Sequence, residues 1–137
     1  MPTSANLPRR TLLLTGASRG IGHATVIRFS SAGWRVITCS RHPFPEQCPW
    51  DAGPEDHIQV DLADPEDTQR AIAEIRRRLD GGELHALVNN AAISPKGTGG
   101  ARLGTPDEVA KIIYVLCTET SSYVNGAEIH INGGQHV

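Results

Sequence analysis

The residues of this 137-residue chain that could do chemistry begin with three glycines in the stretch TGASRGIG. Gly16, Gly20 and Gly22 follow the apolar run TLLLT and precede a segment with helical periodicity. In such a motif the first glycine allows a tight turn, the second lets the backbone approach a pyrophosphate, and the third lets the helix pack closely on the strand. The unpaired N–H groups of the helix start would face the phosphates. The spacing predicts a dinucleotide-binding loop, and a purely structural glycine turn is the alternative.

The residue types near the second predicted strand indicate which dinucleotide the loop would bind. Folds that bind NAD place an acidic residue near the end of that strand, about 20 residues after the glycines, where it binds the ribose 2′-hydroxyl. Here the strand ends in TCSR, so Ser40 stands at the expected acidic position and Arg41 follows it. Arg41 and Arg19 could pair with a 2′-phosphate, which a carboxylate would repel. We therefore expect NADP(H) rather than NAD(H), unless both arginines simply point into solvent.

The elements that position these residues alternate along the first two thirds of the chain. Apolar and alternating patterns predict strands over 11–15, 35–39, 57–61 and 84–89. A helix from Gly20 follows the first strand, and Gly33 is placed to end it. A second helix follows Asp64, which can cap it, with Pro65 at the first helical position. The alternation predicts an α/β fold of Rossmann type, a doubly wound parallel sheet with helices on both faces.

The last third of the chain contains a loop, a helix and one more strand. The glycine-rich loop spans 91–104 and is long for a compact domain. A capping box begins a helix over 105–118, and the segment AEIHING predicts a fifth strand over 127–133. We therefore expect a single, shortened domain of about five strands over residues 1–137, of which residues 1–9 form a tail.

Composition argues against several classes of function. Charged residues make up 20% of the chain and the net charge is -2, which gives no reason to expect nucleic acid or an anionic membrane as a partner. No apolar run approaches the length of about 20 residues that a membrane span needs. Three cysteines without a C-x-x-C pattern indicate reduced thiols and a cytoplasmic location. The six histidines show no ligand spacing, so no metal site is expected.

Taken together, four stretches resemble the classical short-chain dehydrogenase/reductase family, and the resemblance covers almost the whole chain. They are TGASRGIG at 15–22, VDLAD at 60–64, NNAA at 89–92 and the C-terminal GTPDEVAKIIYVLCTETSSYVNGAEIHINGG. The general pattern is similar to 3-oxoacyl-carrier-protein reductase-like members, and TCSR is similar to members that use NADPH. The resemblance implies hydride transfer between a nicotinamide and a carbonyl or alcohol substrate.

The resemblance also implies a set of cofactor contacts. Asp61 would contact the adenine with Leu62 beside it, and the backbone near Asn89 would lie close to the adenosine ribose. Asp61 could instead be a plain strand-end cap, and Asn89 could simply tie adjacent strands together. The expected cofactor-binding residues are Gly16, Ser18, Arg19, Gly20, Ile21, Gly22, Ser40, Arg41, Asp61, Leu62, Asn89 and Ala91.

The residues that perform the family's reaction are absent from the sequence. That reaction needs a tyrosine followed four residues later by a lysine, because a nearby cation must lower a tyrosine pKa that is ordinarily about 10. Thr118 stands at that spacing after Tyr114, and Ala127 after Tyr123. No catalytic residue is therefore expected. The family pattern jumps from NNAA to the last helix, with the join in 93–105.

Three functional hypotheses follow. If the working protein contains a segment that the printed chain omits, it is an NADP(H)-dependent oxidoreductase. Otherwise the chain is a non-catalytic dinucleotide-binding module, or a deleted or engineered remnant without function. The last strand could pair beside the strand at 84–89 in the sheet order 3-2-1-4-5. Alternatively, the apolar faces that met the missing helices remain exposed and the protein forms a homo-oligomer.

Overall fold

The computed structural model describes residues 8–44, 54–92 and 105–131. These residues contain four strands and three helices. The strands are β1 (Thr11–Thr15), β2 (Arg35–Ser40), β3 (His57–Gln59) and β4 (Ala86–Val88), and the helices are α1 (Gly20–Ser31), α2 (Pro65–Leu79) and α3 (Pro106–Leu116). Single 3-10 turns lie at Pro54–Asp56 and Glu119–Ser121.

The strands form one parallel sheet in the order β3-β2-β1-β4. β1 lies inside the sheet, where Leu13 is in register with Ile37 of β2 and Leu87 of β4. The sheet confirms the predicted Rossmann-type α/β fold in its shortened form. The four strands agree with the predicted ones to within two residues at either end.

The prediction of a fifth strand is wrong for the residues that the structure describes. Residues 127–131 form no strand and are exposed, and positions 132 and 133 lie outside the described residues. β4 has three residues, so its outer edge offers few ladder hydrogen bonds to offset the entropy lost in ordering another strand. The sheet order 3-2-1-4-5 is therefore not formed by the described part of the chain.

Local side-chain caps set the starts of the second and third helices. Asp64 Oδ1 accepts a hydrogen bond of 3.0 Å from the Glu66 backbone N–H, and Pro65 occupies the first helical position. Thr105 Oγ1 accepts one of 3.2 Å from the Glu108 N–H, and Glu108 Oε2 accepts one of 2.6 Å from the Thr105 N–H. Both predicted caps are confirmed.

Apolar side chains cover both faces of the sheet. On the face under α1 and α3, Leu12 and Leu14 pack with Phe29. The Phe29 ring lies edge-on to Trp34 and Tyr114, with centroid distances of 5.0 and 5.1 Å. The buried side chains under α2, on the other face, are Ile37, Cys39, Ile58, Val60 and Ala71.

The face under α2 is incompletely covered where the sheet reaches β4. Leu87 shares this face with Leu13, its neighbour in register, and Leu87 is 55% exposed. The reason is the position of α2, which packs over β2 and β3 at the other side of the sheet. An apolar strand position is thus left in contact with solvent.

Candidate functional site

No side chain of the described residues caps the start of α1, which follows the loop after β1. Gly16 and Gly20 have φ angles of 68° and 61°, a left-handed conformation that favours glycine. The Gly16 N–H donates a 2.9 Å hydrogen bond to the Cys39 carbonyl, which holds the turn against β2. Arg19 at the N-cap makes no capping side-chain hydrogen bond, and the first turn contains no acidic residue. An anionic group can therefore bind at this helix start.

Gly22 is packed too closely to carry a side chain. A Cβ atom at this position would lie 1.9 Å from the Gly16 carbonyl oxygen and 2.8 Å from Asn90 Nδ2. At Gly20 a Cβ atom would meet none of the described atoms within 4 Å. This is the geometry expected of a tight turn at Gly16, an open approach at Gly20 and close helix packing at Gly22.

Asn90, which the sequence analysis did not single out, ties the glycine loop to the chain after β4. Its Nδ2 donates a 3.0 Å hydrogen bond to the Gly16 carbonyl. The backbone N–H groups of Asn90 and Ala91 each donate to Thr15 Oγ1 at 3.0 Å. Asn89, for which the sequence leaves a strand-tying role open, is exposed. The two asparagines are adjacent in the segment after β4, and the structure shows that Asn90 is the one that contacts the loop.

One cleft, the glycine-loop cleft, has a volume of about 340 Å³ and brings together Ser18, Arg19 and Ser40. Ser40 Oγ donates a 3.0 Å hydrogen bond to the His42 carbonyl and accepts one of 3.2 Å from the His42 N–H. Arg19 is exposed. No carboxylate of the described residues lines this cleft, so its charge suits an anion.

The second cleft, the strand-end cleft, has a volume of about 530 Å³ and lies at the ends of β2 and β3. It brings together Arg41 and Asp61, together with Gln59, Asp67 and Arg70. The two arginines expected to meet a 2′-phosphate therefore line different clefts. Of the other expected site residues, Leu62, Asn89 and Ala91 are exposed, and Ile21 is half-buried.

The charges of the strand-end cleft are internally balanced. The Asp61 N–H donates a 2.8 Å hydrogen bond to Asp67 Oδ2, and Arg70 Nε donates one of 2.7 Å to Asp67 Oδ1. The backbone hydrogen bond first, and the arginine second, hold the pKa of Asp67 below its ordinary value. Asp67 is therefore a carboxylate at neutral pH, and it neutralises Arg70.

Neither tyrosine belongs to the lining of the two clefts in the described residues. The Tyr114 ring packs edge-on to Phe29, and Tyr123 is fully exposed. Lys111 forms an ion pair of 3.2 Å with an aspartate of its own helix. Burial raises the pKa of the Cys39 thiol to about 11, so this thiol is protonated and unreactive near neutral pH. The described residues offer no tyrosine–lysine pair for proton transfer at the clefts.

Metal-ligand clusters and membrane-spanning helices are both absent from the part of the chain that the structure describes. In those residues no three His, Cys, Asp or Glu side chains come together as a metal site. No helix within 8–44, 54–92 and 105–131 is long and apolar enough to cross a membrane.

The parallel sheet with a glycine loop between β1 and α1 defines a Rossmann-type α/β protein. The family model described as short chain dehydrogenase matches residues 10–127. The chain therefore belongs to the short-chain dehydrogenase/reductase family, which confirms the resemblance drawn from its motifs.

Individual relatives agree with this assignment. Protein FixR of Bradyrhizobium diazoefficiens is 33% identical over an alignment of 242 residues that includes 93% of this chain and 87% of FixR. A short chain dehydrogenase/reductase from Brucella ovis is 39% identical with a TM-score of 0.74, and the match covers 90% of this chain and all of that one. A second Brucella ovis oxidoreductase of the family, in complex with a partially ordered NAD, is 59% identical with a TM-score of 0.60. That match covers 80% of this chain and 56% of the relative.

Proposed function

We propose that this chain is a nicotinamide dinucleotide-binding module of its family, formed by one domain over residues 1–137. The observation that carries the proposal is the glycine loop, in which Gly22 and Asn90 both close on the Gly16 carbonyl while the backbone at Gly20 stays open. A bound nicotinamide would supply hydride transfer, and the residues of this chain would bind and orient the adenosine half. The NAD present in the Brucella ovis relative supports this class of cofactor.

The described residues fit the chemical groups of a dinucleotide. The uncapped start of α1 fits the pyrophosphate, because its N–H groups and dipole favour an anion. Asp61 lines the strand-end cleft, and the exposed Leu62 follows it in the chain. We expect the adenine to lie in this cleft. The proposed contacts are Gly16, Ser18, Arg19, Gly20, Ile21, Gly22, Ser40, Arg41, Asp61, Leu62, Asn89 and Ala91.

The proposal includes a preference for NADP(H) over NAD(H). Ser40 replaces the carboxylate that would bind a ribose 2′-hydroxyl and repel a 2′-phosphate, and Arg19 stands in the same carboxylate-free cleft. Arg41 follows directly and lines the strand-end cleft, where Asp67 already neutralises Arg70. Among the described residues no ion pair joins Arg41 to Asp61 or Asp67, so its guanidinium is a cation that a 2′-phosphate could pair with.

The test is a calorimetric titration of the 137-residue protein with NADPH and with NADH. Arg41→Ala is expected to weaken NADPH binding about tenfold, as for the loss of one charge-assisted hydrogen bond, and to leave NADH binding nearly unchanged. Arg76→Ala, an exposed arginine in the last turn of α2, is the matched control and should change neither affinity. No saturable binding of either dinucleotide would end the proposal, and equal affinity for both would end the stated preference.

We also propose that the chain as printed does not turn over a substrate. The sequence has no Tyr-x-x-x-Lys, and Tyr114 is engaged in packing against Phe29. The alignment with FixR is 242 residues long and this chain has 137, which supports an internal stretch of the relative without a counterpart here. We place that join within 93–105.

The second candidate is an active NADP(H)-dependent oxidoreductase that acts on a carbonyl or alcohol. The length of the FixR alignment favours this function if the working protein is longer than the 137 residues of this chain. The intact mass of the protein purified from its source separates the two. A mass near 14.7 kDa supports the non-catalytic module, and a much larger mass supports the oxidoreductase. Loss of cooperative unfolding at the smaller mass would instead favour a remnant without function.

A further inference from the structure

A chain of side-chain contacts joins the walls of the strand-end cleft. Gln59 Nε2 donates a 2.9 Å hydrogen bond to the Arg41 carbonyl, and Arg70 Nη2 donates one of 2.8 Å to the Gln59 carbonyl. Arg70 Nε donates to Asp67 Oδ1 at 2.7 Å, and Asp67 Oδ2 accepts from the Asp61 N–H at 2.8 Å. The contacts run from Arg41 at one wall to Asp61 at the other, and every member lines the cleft.

The two residues at the ends of this chain lie just beyond regular secondary structure. β2 ends at Ser40, one residue before Arg41, and β3 ends at Gln59, two residues before Asp61. The strand ladder therefore does not fix Arg41 or Asp61. The Gln59 and Asp67 side chains hold the backbone after the two strands, in addition to backbone hydrogen bonds from the Val60 N–H to the Ser40 carbonyl and from the Asp64 N–H to the Asp61 carbonyl.

The two halves of the network act on different parts of a dinucleotide. The Gln59 side chain holds the backbone of Arg41, whose guanidinium is the group proposed to meet a 2′-phosphate. The Asp67 carboxylate, held by Arg70, instead fixes the backbone of Asp61, the residue proposed to meet the adenosine. NADPH and NADH share the adenosine, and only NADPH carries the 2′-phosphate.

We propose that Gln59, Asp67 and Arg70 are positioning residues of the dinucleotide cleft, with Gln59 determining selectivity and the Asp67–Arg70 pair determining affinity for both dinucleotides. The inference rests on the proposed function, because it deepens the description of the same site.

The same helix supplies a matched control. Glu74 and Arg77 form an ion pair with the same i,i+3 spacing as Asp67 and Arg70, and Arg77 Nε donates to Glu74 Oε2 at 2.9 Å. Because Glu74 also accepts a 2.8 Å hydrogen bond from Arg78 Nε, the control substitution is Arg77→Ala, which removes only this pair. This second pair does not line the cleft and lies about 10 Å further along the helix, at a rise of about 1.5 Å per residue. If the loss of any ion pair from α2 weakened dinucleotide binding, removing either of the two pairs would raise the dissociation constants.

The experiment measures dissociation constants of NADPH and NADH for the 137-residue protein and four variants. Gln59→Met keeps the size of the side chain and removes the hydrogen bond to Arg41, so NADPH binding should weaken about fivefold with NADH changed less than about twofold. Asp67→Ala should weaken NADH about fivefold and NADPH by less, because the Arg70 that it leaves without its carboxylate can attract the 2′-phosphate. Asp67→Asn should recover part of the NADH loss because it retains an acceptor oxygen. Arg77→Ala should leave both constants unchanged.

A second measurement reads the positioning directly, without cofactor. The amide proton of Asp61 should move upfield in Asp67→Ala relative to the unmodified protein, because it loses its carboxylate acceptor, and should remain in place in Arg77→Ala. If Asp67→Ala is too unstable to study, Asp67→Asn is used in its place, and its neutral acceptor oxygen should give a smaller upfield shift of the same amide proton.

Each outcome separates the inference from the proposed function. Binding by the unmodified protein with unchanged constants in Gln59→Met and Asp67→Ala would overturn the positioning roles and leave the site intact. An equal loss of both dinucleotides in Gln59→Met would overturn its selective role. Absence of binding by the unmodified protein would overturn the proposed function, and this inference with it.

Discussion

Asn90 and Gly16 are joined by one hydrogen bond, 3.0 Å from the asparagine Nδ2 to the glycine carbonyl oxygen. The same oxygen is the atom that a side chain at Gly22 would meet at 1.9 Å. One carbonyl group is therefore in close contact with the chain after β4 on one side and with α1 on the other. The position of the glycine loop depends on both contacts, so each can be tested separately.

Removing the side chain of Asn90 should destabilise the protein and loosen the loop. Asn90→Ala loses the bond to Gly16, and we expect the free energy of unfolding to fall by about 1–2 kcal/mol. Urea denaturation followed by circular dichroism measures this change. Asn125→Ala, an exposed asparagine beyond α3, is the control and should stay within about 0.5 kcal/mol of the unmodified protein. Equal losses in the two variants would contradict the role of Asn90.

Alanine substitutions at Gly20 and Gly22 should destabilise the protein by different amounts and for different reasons. Gly22→Ala forces a Cβ into the Gly16 carbonyl oxygen, so we expect a loss of about 2 kcal/mol or more in the free energy of unfolding. Gly20→Ala meets no close atom of the described residues and has only the strain of its φ angle of 61°, about 1–2 kcal/mol. Denaturation of both variants gives the comparison. The packing argument is wrong if Gly22→Ala is the milder substitution.

Cys39 should make the stability of the protein depend on pH in the alkaline range. Burial raises its pKa from the ordinary 9.0 to about 11, although the charge of Arg78 partly lowers it. The unfolded chain releases this proton at a lower pH than the folded chain, so stability is lost as the pH rises from about 9 to about 11. Two pKa units correspond to about 2–3 kcal/mol.

The control for this prediction is Cys39→Ala, which has no thiol to titrate at that position. Denaturation curves are measured at a series of pH values from about 8 to about 11.5, a range that brackets both pKa values. The free energy of unfolding should fall more steeply with pH in the unmodified protein than in the variant. Parallel losses would show that other groups cause the alkaline instability.

The exposed strand position on β4 predicts self-association, which stays a prediction from the sequence. Leu87 is 55% exposed on an apolar face of the sheet, and contact with a second copy would remove it from water. Sedimentation velocity should show an average mass that rises with protein concentration, and Leu87→Lys should reduce that rise. Leu84→Lys, at a leucine that is 39% exposed and precedes the strand, should have a smaller effect. A monomer at all concentrations would contradict the prediction.

Features that depend on neighbouring residues were predictable from the sequence. The apolar run of β1 has the predicted bounds, because a strand buried on both faces leaves a continuous apolar signal. The Asp64 cap and the Thr105–Glu108 capping box form as expected, because each involves residues at most three positions apart. The glycine motif predicted its loop for the same reason, since the turn and the helix start are local.

The sequence by itself determined the family, the order of the elements and the absence of Tyr-x-x-x-Lys. Only the tertiary structure decided that residues 127–131 stay unpaired, that Arg19 and Arg41 line separate clefts, and that Asn90 contacts the loop. The physical reason is the range of the interactions. Strand pairing and cleft formation join residues far apart in the chain, and their free energy depends on which surfaces the other elements have already covered.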